Sequence, residues 1–118
     1  MNKRLTGRYG EDLAIDYLKK NGYKIIETNF SCNLGEIDIV AKDGKTLCFI
    51  EVKYRQSDNY GSPLEAVDSR KASKIAKTAQ YYCLVKNIKE VPMRIDVVGI
   101  ISSEGKADIV LVRNAIIL

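Results

Sequence analysis

The sequence predicts an α/β domain in which a mixed β-sheet is flanked by helices, with the element order α-β-β-β-α-β-β. Two segments carry apolar residues at helical spacing, one over residues 8–21 and one from Asp68 or Ser69 onward. Segments typical of strands lie between and after them, and Asp43-Gly44 is a two-residue hairpin signal. The second helix connects the third and fourth strands as a right-handed crossover, which predicts that those two strands are parallel.

The first helix carries Leu13, Ala14, Tyr17 and Leu18 on one side and ends at Asn21-Gly22. The second helix has an apolar stripe, formed by Ala72, Ile75, Ala76, Ala79 and Cys83. Five segments are predicted as strands: Tyr23 to Phe30, Glu36 to Ala41, Thr46 to Tyr54, Met93 to Ile101 and Asp108 to Arg113. Residues 56–62 are predicted as a loop, residues 63–67 are short and ambiguous, and the turn between the last two strands spans residues 102–105.

The size and composition of the chain predict one domain, spanning residues 1–118. With 46% hydrophobic and 29% charged residues, the chain is typical of a globular protein. No apolar run approaches the roughly 20 residues of a membrane-spanning helix. No apolar segment follows the basic N-terminus, so no secretory signal is indicated. A cytoplasmic protein with no membrane partner is expected.

The chain contains no histidine. This excludes Ser-His-Asp and Cys-His nucleophilic mechanisms and imidazole zinc sites. A metal held by side chains would be bound by carboxylate oxygens, which favours Mg²⁺ or Mn²⁺. Of the three cysteines, Cys48 and Cys83 are predicted to be reduced core residues, and Cys32 is predicted to lie in a loop.

The net charge of +4 is unevenly distributed. Six basic residues and no acidic residue occur from Ser69 to Lys89, and Lys3, Arg4 and Arg8 form a second basic cluster. Such clusters suit a polyanionic partner. On charge alone, a solvated helix face is the more economical interpretation.

With Asp43-Gly44 as the loop, the central hairpin has a definite predicted register. The predicted pairs are Lys42 with Lys45, Val40 with Leu47, Asp38 with Phe49 and Glu36 with Glu51. Because side chains alternate between faces, one face is predicted to carry Ile37, Ile39, Ala41, Cys48, Ile50, Val52 and Tyr54. The opposite face is predicted to carry Glu36, Asp38, Glu51 and Lys53, together with Leu47 and Phe49.

In this register Asp38 and Glu51 are diagonal neighbours, with Cα atoms roughly 7–8 Å apart. Two carboxylates at that separation can converge on one hard cation, and Lys53 projects from the same face and could orient or activate a water. This combination suits metal-assisted phosphodiester hydrolysis. The alternative is the charged, solvated face of an antiparallel sheet, although the apolar neighbours on that face argue against full solvation.

The segments GEIDIV at residues 35–40 and FIEVKYR at residues 49–55 resemble the PD-(D/E)xK superfamily of restriction-endonuclease-like nucleases. More narrowly, nearly the whole chain resembles the YraN-type family of small bacterial proteins, from GRYGE at residues 7–11 through Lys71 to RIDVV at residues 94–98. The resemblance implies a three-layer fold with the hairpin at the centre of the sheet. Arg94 and Asp96 also match the family, and an internal ion pair is their more economical interpretation.

Position by position, the resemblance implies that Asp38 and Glu51 bind metal and that Lys53 is the catalytic lysine. It also implies that Glu11, on the first helix, completes the metal site. Glu11 precedes Ala14 and Leu18 at helical spacing, so it could reach the carboxylate cluster. A favourable interaction with the helix dipole is an equally economical role for Glu11.

The leading hypothesis is a Mg²⁺- or Mn²⁺-dependent endonuclease that acts on DNA, including branched or damaged DNA. Its predicted nucleic-acid contacts are Arg8, Arg55, Arg70, Lys71 and Lys74. A second hypothesis is a non-catalytic nucleic-acid-binding or scaffold protein with a nuclease fold. A third is a protein-interaction module whose acidic face docks a basic partner. The fold implied by the resemblance is similar to that of archaeal Holliday-junction resolvases, and a homodimer is inferred only by analogy with these proteins.

Overall fold

The computed structural model describes residues 3–55 and 69–116, and these residues form two helices and five strands. The helices are α1 (Lys3–Lys20) and α2 (Ser69–Val85). The strands are β1 (Tyr23–Cys32), β2 (Gly35–Asp43), β3 (Thr46–Arg55), β4 (Met93–Ser103) and β5 (Lys106–Ile116). The predicted element order is confirmed. The predictions for residues 56–62 and 63–67 lie outside the described residues.

The five strands form one mixed sheet in the order β1-β2-β3-β4-β5. Strands β3 and β4 are parallel, as the crossover predicted, and the other neighbours are antiparallel. This is an α/β fold consistent with a restriction-endonuclease-like fold. Neither described helix is long and apolar enough to cross a membrane.

The strand ends differ from the prediction in a few places. Strand β1 extends to Cys32, so this cysteine lies at a strand end rather than in a loop. Strand β4 extends to Ser103, which shortens the predicted turn before β5. At the end of α1, Gly22 has a φ of 89°, the left-handed conformation that favours glycine, and the predicted helix stop is confirmed.

The predicted register of the β2–β3 hairpin is wrong by two residues. Val40 pairs with Phe49 rather than with Leu47, and Asp43 pairs with Thr46. The loop therefore consists of Gly44 and Lys45, with Gly44 at a φ of 62°. Asp43 remains in the strand, where Arg94 donates a hydrogen bond of 2.7 Å to its carboxylate. Because the error is an even number of residues, it leaves the faces of β3 as predicted.

Two apolar clusters cover the two faces of the sheet. Helix α1 packs on the first cluster, which contains Ala14, Leu18, Tyr23, Ile39, Ala41, Cys48, Ile50, Val98 and Ile100. Helix α2 packs on the second, which contains Ile37, Val40, Leu47, Phe49, Ile75, Ala79, Tyr82, Cys83 and Ile95. The described residues thus form three layers, with the sheet in the middle, and Cys48 and Cys83 are core residues as predicted.

The alternation of side chains along β2 breaks at Asp38. Ile37 lies in the cluster under α2, whereas Ile39 lies in the cluster under α1. The prediction that these two isoleucines share a face is therefore wrong. The break coincides with Asn29 of β1, which has a φ of 56° and lies between the cross-strand pairs formed by its two neighbours. A left-handed residue within a strand changes which face the following side chains occupy.

The buried side of helix α2 differs from the predicted apolar stripe, because Ala72 and Ala76 are only half-buried. Thr78 and Tyr82 are buried in addition to Ile75, Ala79 and Cys83. The Tyr82 ring makes edge-to-face contacts with Phe30 and Phe49, with centroids 4.9 and 5.7 Å apart. Such aromatic pairs add to the stabilisation from buried area. They hold α2 against the face of the sheet from which Glu51 of β3 contacts Lys71 of α2.

The predicted internal ion pair of Arg94 and Asp96 is confirmed. Arg94 Nε donates to Asp96 Oδ1 at 2.9 Å, and Asp96 is fully buried. The same carboxylate accepts hydrogen bonds from the Tyr23 hydroxyl and from the backbone N–H of Asn114, each at 2.8 Å. These bonds tie β1, β4 and β5 together. Asp96 therefore has a structural role.

Candidate functional site

Asp38 lies where the regular pairing of β2 with β3 ends. The last regular pair is Ile39 with Ile50, and one step further would place Asp38 directly across from Glu51. There the Asp38 carboxylate, rather than a backbone carbonyl, accepts the N–H of Val52, at 2.8 Å. The predicted diagonal relation of Asp38 and Glu51 is wrong because of the two-residue register error. In the correct register Asp38 and Glu51 come one step beyond the last regular pair, and both line the same pocket.

The Glu51 carboxylate is held by two lysines. Lys71 Nζ lies 2.9 Å and Lys53 Nζ lies 3.4 Å from the same oxygen, Oε1. Lys53 follows Glu51 by two residues on β3, whereas Lys71 reaches down from the first turns of α2. Glu51 is only 9% exposed, so this cluster of charges is largely shielded from solvent. Charge pairs that are shielded in this way interact more strongly than exposed pairs.

The environment disfavours the charged form of Asp38. Burial, followed by the negative charge of Glu51 and a smaller contribution from Glu11, raises the pKa of Asp38 to about 7, although the N–H of Val52 opposes this rise. Burial lowers the pKa of Lys53, and the neighbouring ammonium group of Lys71 lowers it further. Burial alone would lower the pKa of Lys71, but its hydrogen bond to Glu51 and the negative charges of Glu51 and Asp38 outweigh burial and raise it. The charge of each of these groups therefore acts on its neighbours.

Glu11 approaches these charged groups from α1. Asn29 Nδ2 donates a hydrogen bond of 2.9 Å to Glu11 Oε1, and Asn29 lies across the β1–β2 ladder from Asp38. The helix comes close to the sheet here because its Gly10 lies against Tyr54 of β3, where an added Cβ would be 3.1 Å from the Tyr54 Cβ. The break in strand alternation thus presents Asn29 to the glutamate that the resemblance assigned to the site.

A second close approach positions α2. A Cβ added to Gly35 would lie 2.9 Å from the Thr78 hydroxyl oxygen, which itself donates to the Lys74 carbonyl at 2.7 Å. With no side chain at position 35, α2 can lie directly over the start of β2. The space between them is a pocket of about 210 Å³. Its lining consists of Gly35, Glu36, Asp38, Glu51, Lys71, Lys74 and Ile75.

The structure brings together the residues predicted for catalysis and metal binding. Asp38, Glu51 and Lys53 are adjacent, and Glu11 is close enough for its charge to act on Asp38. Among the predicted nucleic-acid contacts, Lys71 and Lys74 line the pocket.

The other predicted contacts are placed differently. Arg8 and Arg70 are exposed, and Arg55 donates a hydrogen bond of 3.3 Å to the Tyr54 carbonyl. None of these three is among the residues that line the pocket. Glu36, which the alternation placed beside Asp38, is exposed and lines the same pocket.

Three features of this site were not predicted from the sequence. They are the hydrogen bond from Asn29 to Glu11, the close approach of Gly35 to α2, and the direct contact of Lys71 with Glu51. Only the first feature has a signal in the sequence, which is an asparagine within a strand pattern. Asparagine tolerates the left-handed conformation better than other non-glycine residues. The other two depend on where α2 docks, and local pattern does not specify that position.

The donors in the site fit a hard divalent cation, with two carboxylates from the protein. Within residues 8–55 and 69–116, no three acidic or cysteine side chains gather closely enough to form a complete ligand group. Mg²⁺ does not require one, because it is commonly bound by one or two carboxylates and completes its shell with water and substrate phosphate oxygens. Asp38 and Glu51 supply such a pair, and a bound cation would relieve the repulsion between them.

Residues 10–100 match the family described as uncharacterised protein family UPF0102. The chain belongs to this family. The match covers the site segments of α1, β2, β3 and α2, together with most of β4. This confirms the YraN-type family membership that the sequence predicted.

Curated relatives extend the similarity to nearly the full chain. A UPF0102 protein of Clostridium botulinum is 48% identical over 112 residues, which cover 92% of this chain and 91% of that protein. A UPF0102 protein of Caldicellulosiruptor saccharolyticus is 42% identical over 117 residues, covering 98% and 99% of the two chains. A UPF0102 protein of Persephonella marina is 43% identical over 99 residues, covering 84% and 85%. The names of these relatives state no activity, so the function has to be argued from the site.

Proposed function

We propose that this protein is a Mg²⁺- or Mn²⁺-dependent endonuclease that hydrolyses phosphodiester bonds in DNA. One observation carries the proposal: Asp38 and Glu51 line one pocket together with Lys71 and Lys74, and Lys53 Nζ lies 3.4 Å from Glu51 Oε1. Carboxylates attract the cation, lysines attract the phosphate, and both are needed in one place for this chemistry. The resemblance to PD-(D/E)xK nucleases supports the same assignment.

The residues of the chain have distinct roles in this proposal. Asp38 and Glu51 would hold the cation, and Glu11 would complete its surroundings through water. When bound, the cation would polarise the phosphoryl group and stabilise the negative charge that develops on it. Lys53 would position the attacking water. Lys74 lines the pocket from α2 and would hold a phosphate of the substrate.

The test is cleavage of duplex, single-stranded and four-way-junction DNA in the presence of Mg²⁺ or Mn²⁺. Asp38→Asn is the sharpest variant, because the asparagine oxygen can still accept the Val52 N–H while the charge is lost. Loss of groups that only support a metal ligand lowers affinity or activity 10–100-fold, so loss of a ligand itself should lower cleavage by about 100-fold or more.

Asp16→Asn is the matched control for this test. Asp16 is an exposed carboxylate on α1 that pairs with Lys20 at 3.0 Å, remote from the pocket lining. Its replacement should leave cleavage unchanged. Activity that survives Asp38→Asn in protein that is fully folded would refute the assignment.

A second candidate is a nucleic-acid-binding protein that does not cleave. The observation in its favour is that Glu51 already has two lysines on one oxygen, so its charge is balanced without a cation. This alternative predicts DNA binding in EDTA that is unchanged by Glu51→Gln, and no cleavage with either metal. Binding measured by fluorescence anisotropy across salt concentrations, beside the cleavage assay, separates the two candidates, because phosphate contacts have a steep salt dependence. The cytoplasmic location, the preference for branched DNA and the homodimer stay predictions from the sequence.

A further inference from the structure

Two ammonium groups share a single oxygen of Glu51. Lys71 Nζ lies 2.9 Å and Lys53 Nζ lies 3.4 Å from Oε1. A divalent cation bound at this carboxylate would be close to both ammonium groups, and the three positively charged groups would repel one another around a carboxylate that is only 9% exposed. A lysine therefore has to leave Glu51 when a cation binds there.

Lys71 is better able to leave than Lys53. The side chain of Lys53 is 11% exposed and is confined on β3, whereas the side chain of Lys71 is 38% exposed on the surface of α2. Lys71 also lines the pocket, and so does Lys74, one turn further along the helix. A rotamer change of Lys71 can therefore move its charge from Glu51 into the pocket without any change in the backbone.

The position that Lys71 would then occupy suits an anion. With Lys71 turned away from Glu51, the pocket would present two neighbouring ammonium groups, from Lys71 and Lys74, beside the carboxylates. A phosphate group of a nucleic acid fits between these ammonium groups and a cation on the carboxylates. Phosphate binding would stabilise the turned-away position of Lys71, and a cation on Glu51 would stabilise the same position.

We propose that Lys71 is a switch residue that occupies the cation position on Glu51 until a nucleic-acid phosphate draws it into the pocket. This proposal rests on the proposed function and adds that cation binding depends on nucleic-acid binding. The protein alone binds the cation weakly. The nucleic acid and the cation each increase the affinity of the protein for the other. Such coupling is reciprocal by thermodynamic necessity. It would keep the site from being loaded with metal when no nucleic acid is bound.

The test measures Mn²⁺ binding by the protein alone, with the electron paramagnetic resonance signal of free Mn²⁺ as the readout, so that no cleavage is involved. Lys71→Met removes the charge and keeps much of the side-chain length, and it should raise Mn²⁺ affinity about tenfold, within the usual range of coupling between sites. Lys71→Arg keeps the charge and should leave Mn²⁺ binding weak. Lys77→Met, on an exposed position of the same helix, is the matched control and should have no effect.

A second measurement checks the nucleic-acid side of the switch. Lys71→Met should weaken the binding of a fluorescein-labelled duplex oligonucleotide, measured by anisotropy in EDTA, whereas Lys77→Met should weaken it less. If Lys71 only stabilises the position of the Glu51 side chain, Lys71→Met should leave the Mn²⁺ affinity unchanged or lower it. That result would overturn the proposal.

The two proposals fail in different ways. Cleavage that requires Asp38, together with unchanged Mn²⁺ affinity in Lys71→Met, would overturn the switch and leave the nuclease assignment intact. Mn²⁺ binding that is insensitive to Asp38→Asn would place the cation elsewhere and overturn both. Increased Mn²⁺ affinity in Lys71→Met without any DNA cleavage would support the switch and refute the nuclease.

Discussion

Replacement of Asp96 by alanine should strongly lower the free energy of unfolding without changing the proposed site. The Asp96 carboxylate is fully buried and accepts hydrogen bonds from Arg94, from the Tyr23 hydroxyl and from the backbone N–H of Asn114. Alanine leaves the last two donors without this acceptor, and the Tyr23 hydroxyl would then lack it in a buried place, at about 1–3 kcal/mol for each donor. Arg94 keeps its 2.7 Å bond to Asp43, which limits the loss from its own charge.

Together these contributions should lower the free energy of unfolding by about 3–5 kcal/mol. Removal of one partner of a buried ion pair usually has an effect of this size. Because a domain of this size has a free energy of unfolding of about 5–15 kcal/mol, this is a large share of the total. Urea denaturation followed by circular dichroism measures the loss. Asp108→Ala, at an exposed position on β5, is the control and should change stability by no more than about 0.5 kcal/mol.

A loss below about 1 kcal/mol for Asp96→Ala would refute this account of the network. A double-mutant cycle with Tyr23→Phe sharpens the test. The two changes remove parts of one hydrogen-bond network, so their effects on the free energy of unfolding should not add. Mn²⁺ affinity of Asp96→Ala, measured where the protein is still folded, should equal that of the wild type. A weaker affinity would contradict the purely structural role.

Three further predictions concern the packing of α2, the thiols and the pH dependence. Gly35→Ala should push α2 away from β2 and destabilise the fold by about 1–3 kcal/mol, with weaker DNA binding, whereas Gly105→Ala meets no neighbouring atom and should leave DNA binding unchanged. Ellman's reagent should modify one thiol per native chain, that of Cys32, and three per chain in denaturant, since the other two are buried and burial raises their pKa. Burial and the bond to Asp96 raise the pKa of Tyr23 to about 12, above its unfolded value of 10.0. The protonated Tyr23 hydroxyl therefore stabilises the fold fully below pH 10, and this stabilisation is lost as the pH rises toward 12. Between pH 10 and pH 12 the free energy of unfolding should fall more in the wild type than in Tyr23→Phe, by about 2–3 kcal/mol. Equal falls in the two proteins would contradict this prediction.

Much of the fold could be predicted because it follows from local pattern. Apolar spacing predicts both helices, alternation predicts the strands, and the crossover helix predicts that β3 and β4 are parallel. The faces of β3 were also predicted correctly, so Glu51 and Lys53 were placed together. That prediction survived a two-residue register error because side-chain direction repeats every two residues.

The local sequence pattern did not predict the register of the β2–β3 hairpin. Asp43-Gly44 is a strong turn signal, but the loop is Gly44-Lys45, because the Asp43 carboxylate is engaged by Arg94 and Arg113. These partners are about 50 and 70 residues further along the chain. The sequence around the turn does not indicate a contact with residues this far along the chain.

The sequence determines which residues carry charge and which segments form elements. It predicted Asp38, Glu51 and Lys53 as site residues, and the family resemblance added Glu11. Only the tertiary structure decided how these groups meet. The strand break at Asp38 turns that carboxylate to the Val52 N–H, and the docking of α2 over Gly35 brings Lys71 onto Glu51. The physical reason is that a site is defined by distances of a few ångströms between separate elements. Those distances are set by side-chain packing across the whole sheet, whereas sequence pattern specifies only the face on which each residue lies.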